Sequence, residues 1–138
     1  MMAPPPPAPV DPLPCPSVGR AATTVRPVTE TIVPILRVAD GRAAATWYER
    51  LGFRVVDEHR FGADFPLYLF LRRGDDVWLH LSEHEGDATP DTLVYLYVDD
   101  VDAVAAEFGL RVRTQPWARE VELTDPDGNR LRVGQVTS

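Results

Sequence analysis

The 138-residue chain has no lysine, a single cysteine and no long apolar run. Its fourteen basic residues are all arginine, a mark of GC-rich coding that carries no chemistry. One cysteine, Cys15, excludes an internal disulfide and removes any argument for an oxidising compartment, so a cytoplasmic location is expected. No stretch approaches the roughly 18 consecutive apolar residues that a membrane span needs. Nor does a basic start with an apolar run mark a secretory leader. Positive charge is also short. The net charge is −7, which disfavours nucleic acid and favours a neutral or cationic partner.

Proline is scarce except at the start, where residues 1–27 hold nine of the fourteen. Proline lacks the amide donor and fixes φ, so this segment forms neither helix nor interior strand. It reads as a disordered tail in preference to a polyproline ligand for a partner. Its charged residues are Asp11, Arg20 and Arg26, so the acidity belongs to the rest of the chain. Residues 28–138, with hydrophobic and charged fractions typical of a globular protein, are long enough for one domain with one core.

What is present from Thr31 onward says the same thing twice. "TIVPILRVAD" alternates as a strand and ends at Asp40, a good N-cap. "GRAAATWYERLG" places Ala44, Trp47, Tyr48 and Leu51 on one helical face, and Gly52 closes it. Three strand-like runs follow, "FRVVDEHR", "LYLFLRR" and "DVWLHLS". The pattern then restarts. "TLVYLYVDD" alternates and ends in Asp99 and Asp100, which read as a helix cap, and "VDAVAAEFG" has helical spacing. A weak run, "LRVRT", precedes "QPWAREVELTDPDGNRLRVGQ", in which two short runs alternate around a Pro-Asp-Gly turn. The fold class is therefore α+β: two tandem βαβββ modules, about 28–88 and 89–138, forming a cupped mixed sheet with helices on its outer face.

Period-2 alternation sorts the strand residues onto two faces. One is aliphatic, from Leu36 and Val38 to Leu131 and Val133, and should lie beneath the helices. The other collects Val33, Ile35, Arg37, Tyr68, Phe70, Trp78, His80, Ser82, Leu93, Tyr95, Tyr97, Glu120, Glu122 and Arg132. That face is too aromatic for plain solvent and too charged for a core. It suits a ligand site, and also an interface between subunits, where Tyr, Trp and Arg are enriched.

The two βαβββ units, "WYERLGF" at 47–53, "TLVYLYV" at 92–98, "QPWARE" at 115–120 and "LTDPDGNRLRV" at 123–133 resemble the vicinal oxygen chelate superfamily. That group includes glyoxalases, extradiol dioxygenases and bleomycin resistance proteins, and the chain is most similar to the last branch. The enzymes of the group hold a divalent metal, and the resemblance carries the four ligand positions onto Val33, His80, Leu93 and Arg132. Only His80 has a donor atom suited to a cation, against the roughly three protein ligands a catalytic site needs. No metal and no other cofactor are expected. His80, Ser82 and His84, with Glu83 beside them, read as polar surface at a strand end in preference to an independent metal clip. Asp125 and Asp127 read as turn chemistry.

The resemblance implies a non-catalytic homodimer that holds a long, cationic, flat-ringed glycopeptide antibiotic, or a similar small molecule, in crevices between its subunits. Trp117 would stack on that ligand, opposed by Phe65 or by Phe61. Tyr68, Trp78, His80, Tyr95, Tyr97 and Arg132 would line the crevice. Glu120 and Glu122 would attract its cationic parts. Trp117 can also be read as a hydrophobic plug at a strand start, and Glu120 as an ion-pair partner of Arg119 or Arg132. The competing functions are a metal-dependent glyoxalase-like or dioxygenase-like enzyme with atypical ligands, and a binding protein for another metabolite.

Overall fold

The computed structural model describes residues 30–137, and the proline-rich segment 1–27 lies outside them. The first module runs β1 (Ile35–Arg37), α1 (Gly41–Glu49), β2 (Arg54–His59), β3 (Tyr68–Arg73) and β4 (Val77–Ser82). The second repeats it with β5 (Leu93–Tyr97), α2 (Val101–Phe108), β6 (Arg113–Thr114), β7 (Ala118–Thr124) and β8 (Arg130–Val136). Each module makes one four-stranded mixed sheet, in the order β1-β4-β3-β2 and β5-β8-β7-β6. The first and last full strands of each pair in parallel and the rest antiparallel. The expected first strand is shorter than its alternation suggested, because Pro34 lacks an amide and only its carbonyl joins the ladder, accepting from His80 N at 3.0 Å.

Helix α1 starts where Asp40 accepts from the amides of Arg42 and Ala43, at 3.1 and 3.2 Å. A second carboxylate completes the cap. Glu83, just past β4, accepts from Gly41 N at 2.7 Å and from Leu67 N at 2.9 Å. Asp100 caps α2 through Ala103 N at 3.1 Å, and Asp99 takes no part. Gly109 ends α2 in the left-handed conformation (φ 67°), which lets Leu110 N reach back to Ala105 O at 2.9 Å.

The aliphatic faces of both sheets, from Leu36 and Leu81 to Val121 and Leu131, form one continuous core with the buried sides of both helices. Strand β2 is exposed along its whole length, and a bulge between Val55 and Asp57 with its charged residues protects it as a sheet edge. At their ends the helices meet through Trp47 and Phe108, ring centroids 5.3 Å apart. Arg50 lies 4.2 Å over the Phe108 ring and pairs with Glu107 at 3.0 Å.

The Asp-Pro-Asp-Gly-Asn turn does more than reverse the chain. Asp125, only 4% exposed, accepts at Oδ1 from the amides of Asp127 and Asn129, and at Oδ2 from the Tyr48 hydroxyl (2.7 Å) and the Asn129 amide. Asn129 also donates to Arg37 O at 3.0 Å and accepts from Thr92 N at 3.1 Å. Asp127 accepts from Ala39 N at 2.9 Å. The turn of the second module is therefore fastened to β1 and α1 of the first. Burial, with Asp125 alongside, pushes the Tyr48 pKa up, so its hydroxyl stays a donor.

Candidate functional site

Alternation and register bring the site residues of the second module together on the face of the sheet turned away from the helices. β5, β8 and β7 lie side by side, so Tyr95, Arg132 and Glu122 share one row, and Tyr97, Gly134 and Glu120 the next. Trp117 stands just ahead of β7 and is 55% exposed. Its indole N–H donates to Glu120 Oε2 at 2.8 Å. The Tyr95 hydroxyl donates to the same oxygen at 2.6 Å, crossing β8 at Gly134. A Cβ at Gly134 would collide with that hydroxyl, so the missing side chain is what opens the path. Tyr97 lies against Tyr95 with ring centroids 4.8 Å apart.

Glu120 is thus an anion on an aromatic face, held by two fixed donors. The Tyr95 hydrogen bond first, with Trp117 and the charges of Arg132 and Arg113, keeps its carboxyl below the usual carboxylate range against the effect of burial. Burial and the Glu120 hydrogen bond push Tyr95 up to about 12. The alternative reading of Glu120 as an ion-pair partner of Arg119 or Arg132 is not met, since both arginines pair elsewhere. Strand alternation turns Arg119 to the helix side, where it meets Asp102 of α2 at 2.8 and 2.9 Å. Arg132 stands directly opposite Glu122 and pairs with it at 3.1 Å, while Arg130 approaches the same carboxylate at 3.5 Å. Glu122 is therefore already matched by two arginines, whereas Glu120, 8% exposed, has only the two neutral donors Tyr95 and Trp117. The exposure of Trp117 overturns its reading as a plug.

The first sheet carries its own set. On its polar face Tyr68, Phe70 and His80 make an aromatic floor, with His80 edge-on to Phe70 at 4.6 Å. The Tyr68 hydroxyl and His80 Nδ1 share a hydrogen bond of 2.8 Å. Trp78 is half-buried under the Arg72 guanidinium. Phe61 sits edge-on to His59 at 4.5 Å, and Phe65, 53% exposed, lies over Gly62. The two sheets share the aliphatic core, and no strand of one is hydrogen-bonded to a strand of the other among the described residues. Among the described residues no ring contact joins Phe65 or Phe61 to Trp117.

The four superfamily ligand positions do not fit a divalent metal. Val33 and Leu93 offer no donor, Arg132 is cationic and bound to Glu122, and His80 Nδ1 is shared with Tyr68. No group of three potential ligands assembles elsewhere among the described residues. The run 80–84 is spoken for as well. Ser82, fully buried, donates to Asp87 at 2.6 Å and accepts from His84 N, while Glu83 caps α1.

Burial lowers the His80 pKa to about 4, below the ordinary value of 6.5. Between those values the unfolded chain binds more protons than the folded one, so stability is complete above about pH 6.5 and declines as pH falls toward 4. The full effect is about 2 kcal/mol, discounted for solvent reaching the ring edge. Thermal melts at pH 7 and pH 5 should show this loss in the native protein and much less of it in His80→Gln.

Solved structures share this architecture. A bleomycin-binding protein complexed with bleomycin is 26% identical, with a TM-score of 0.63 over 79% of this chain and 100% of its own. An antibiotic binding protein of Streptomyces sp. CB03234, TnmS3, is 27% identical, with a TM-score of 0.66 over 81% of this chain and 99% of its own. A bleomycin resistance determinant encoded on the transposon Tn5 is 26% identical, with a TM-score of 0.64 over 80% and 100%. No protein with a curated description matches the chain. The family described as glyoxalase superfamily protein matches residues 19–137. With the duplicated βαβββ fold and this match over most of its length, the chain belongs to the glyoxalase superfamily.

Proposed function

We propose that this protein sequesters a bleomycin-type glycopeptide antibiotic, or a similar flat and cationic small molecule, without changing it chemically. One observation carries the reading: Trp117 is a residue more than half exposed whose indole N–H is already spent on Glu120. Such an indole is fixed in place and has little left to offer except its face, which favours stacking on a flat ring. The anion beneath it would meet a cationic substituent. The donor set opposes the metal-dependent enzymes of the superfamily, and the likeness to bleomycin-binding proteins points the same way.

The working form on this reading is a cytoplasmic homodimer. Leu93, Tyr95, Tyr97, Trp117 and Val136 leave a broad apolar patch on one face of the second sheet. A second copy that set its first sheet against this face would bring Phe65 or Phe61 opposite Trp117 and close a crevice from both sheets. The test is chemical. Bleomycin incubated with the protein should be recovered with its mass unchanged, and a chelator in excess should leave the binding of metal-free bleomycin intact. A product of altered mass, or binding abolished by the chelator, would replace sequestration with metal-dependent chemistry.

A further inference from the structure

The polar face of the first sheet holds an arrangement that a purely cationic ligand leaves unused. Register sets Arg54 of β2 directly opposite Arg72 of β3, and Arg72 directly opposite Trp78 of β4, so the three share a row and a face. Like charges directly opposite on a sheet repel unless something compensates them. No carboxylate among the described residues pairs with either guanidinium. Asp57, on the same face of β2, and Asp75 and Asp76, in the turn before β4, leave both unmatched. Nε of Arg72 is also buried without a hydrogen-bond partner. The Trp78 ring centroid, 5.4 Å from its guanidinium carbon, holds the group in place.

The wider charge pattern agrees. Arg37, Arg54, Arg72, Arg113, Arg130 and Arg132 all lie on the polar faces of the sheets, against Asp57, Glu120 and Glu122. The acidity behind the net charge of −7 therefore lies elsewhere on the molecule. We propose that Arg54 and Arg72, with Trp78 as support, bind an oxyanion (a carboxylate or a phosphate) carried by a flat ring that lies along Phe70 and His80 in the next row. Two guanidinium forks match the paired oxygens of such groups, and the aromatic floor continues directly from them. The proposal rests on the reading that this face holds a ligand, and it makes the crevice bipolar, with the cation at Glu120 and the anion here.

Calorimetry with 1-naphthoate and with naphthalen-1-ylmethylammonium, the same ring bearing opposite charges, tests it. Naphthoate should saturate this corner, and Arg72→Gln and Arg54→Gln, the latter on the exposed edge strand, should each weaken it at least fivefold. Binding of the ammonium probe and the melting temperature should stay as in the native protein. 1-Naphthyl phosphate should bind as well, and the tighter of the two acids identifies the preferred group. Naphthoate affinity unchanged in both variants, or both probes weakened alike, would overturn the proposal. Failure of bleomycin to bind while naphthoate does would remove the antibiotic reading and leave this corner standing; the opposite pair of results would remove the corner alone.

Discussion

Asp125→Ala is expected to destabilise the protein by about 4 kcal/mol, a drop in melting temperature of roughly 15 °C. The carboxylate accepts four hydrogen bonds in a site almost closed to water. Truncating it leaves the Tyr48 hydroxyl, two backbone amides and the Asn129 amide without their acceptor, and each buried orphan costs on the order of 1–3 kcal/mol before relaxation. Because Tyr48 belongs to α1 and Asn129 reaches Arg37 O, the loss also loosens the second module from the first. Tyr48→Phe removes one of these bonds and keeps the packed ring, so about 1–2 kcal/mol is expected there. Chemical denaturation of the two variants checks the ratio. Equal and small effects would mean that the aliphatic core alone joins the modules.

Trp117→Ala should act in the opposite sense, on binding and not on folding. The side chain is more than half exposed and outside the core formed by Val121, Leu123, Leu131 and Val133. Its removal should change stability by less than about 1 kcal/mol, in line with surface substitutions that lose one hydrogen bond. Loss of an aromatic anchor should cost about 2 kcal/mol or more of ligand affinity, some thirtyfold. The melting curve and a ligand titration of the same variant decide the matter. A large loss of stability with affinity intact in the folded fraction would remove Trp117 from the site.

The strands, caps and faces were legible in the sequence because each depends on neighbours a few residues away. Strict alternation in "YLFLRR", "VWLHLS" and "RLRV" separates core from site without knowledge of the partner strand. Asp40 and Asp100 cap amides two or three residues on. The contacts that escaped are long-range ones. Glu83 reaches Gly41 across 42 residues, and Tyr48 reaches Asp125 across 77. Asp125 looked like a turn residue because local turn chemistry explains two of its four bonds.

The pairing of Glu120 escaped for a different reason. Proximity in sequence suggested Arg119, yet alternation alone places that side chain on the opposite face of β7. Arg132 was on the correct face, but register set it opposite Glu122. The Tyr95 hydroxyl reaches Glu120 only because position 134, on the strand between them, is glycine. A glycine in a strand flags close approach, but not by which group.

On the proposed reading, the Trp117–Glu120 face takes up an intact flat-ringed antibiotic. Isothermal titration of the protein with metal-free and copper-loaded bleomycin, beside an unrelated cationic drug, tests it most directly. Saturable binding of bleomycin is expected at about one ligand per chain, abolished or sharply weakened in Trp117→Ala, with no saturable binding of the unrelated drug. Absence of saturable binding for both forms of bleomycin, or equal affinity for the unrelated cation, would contradict it.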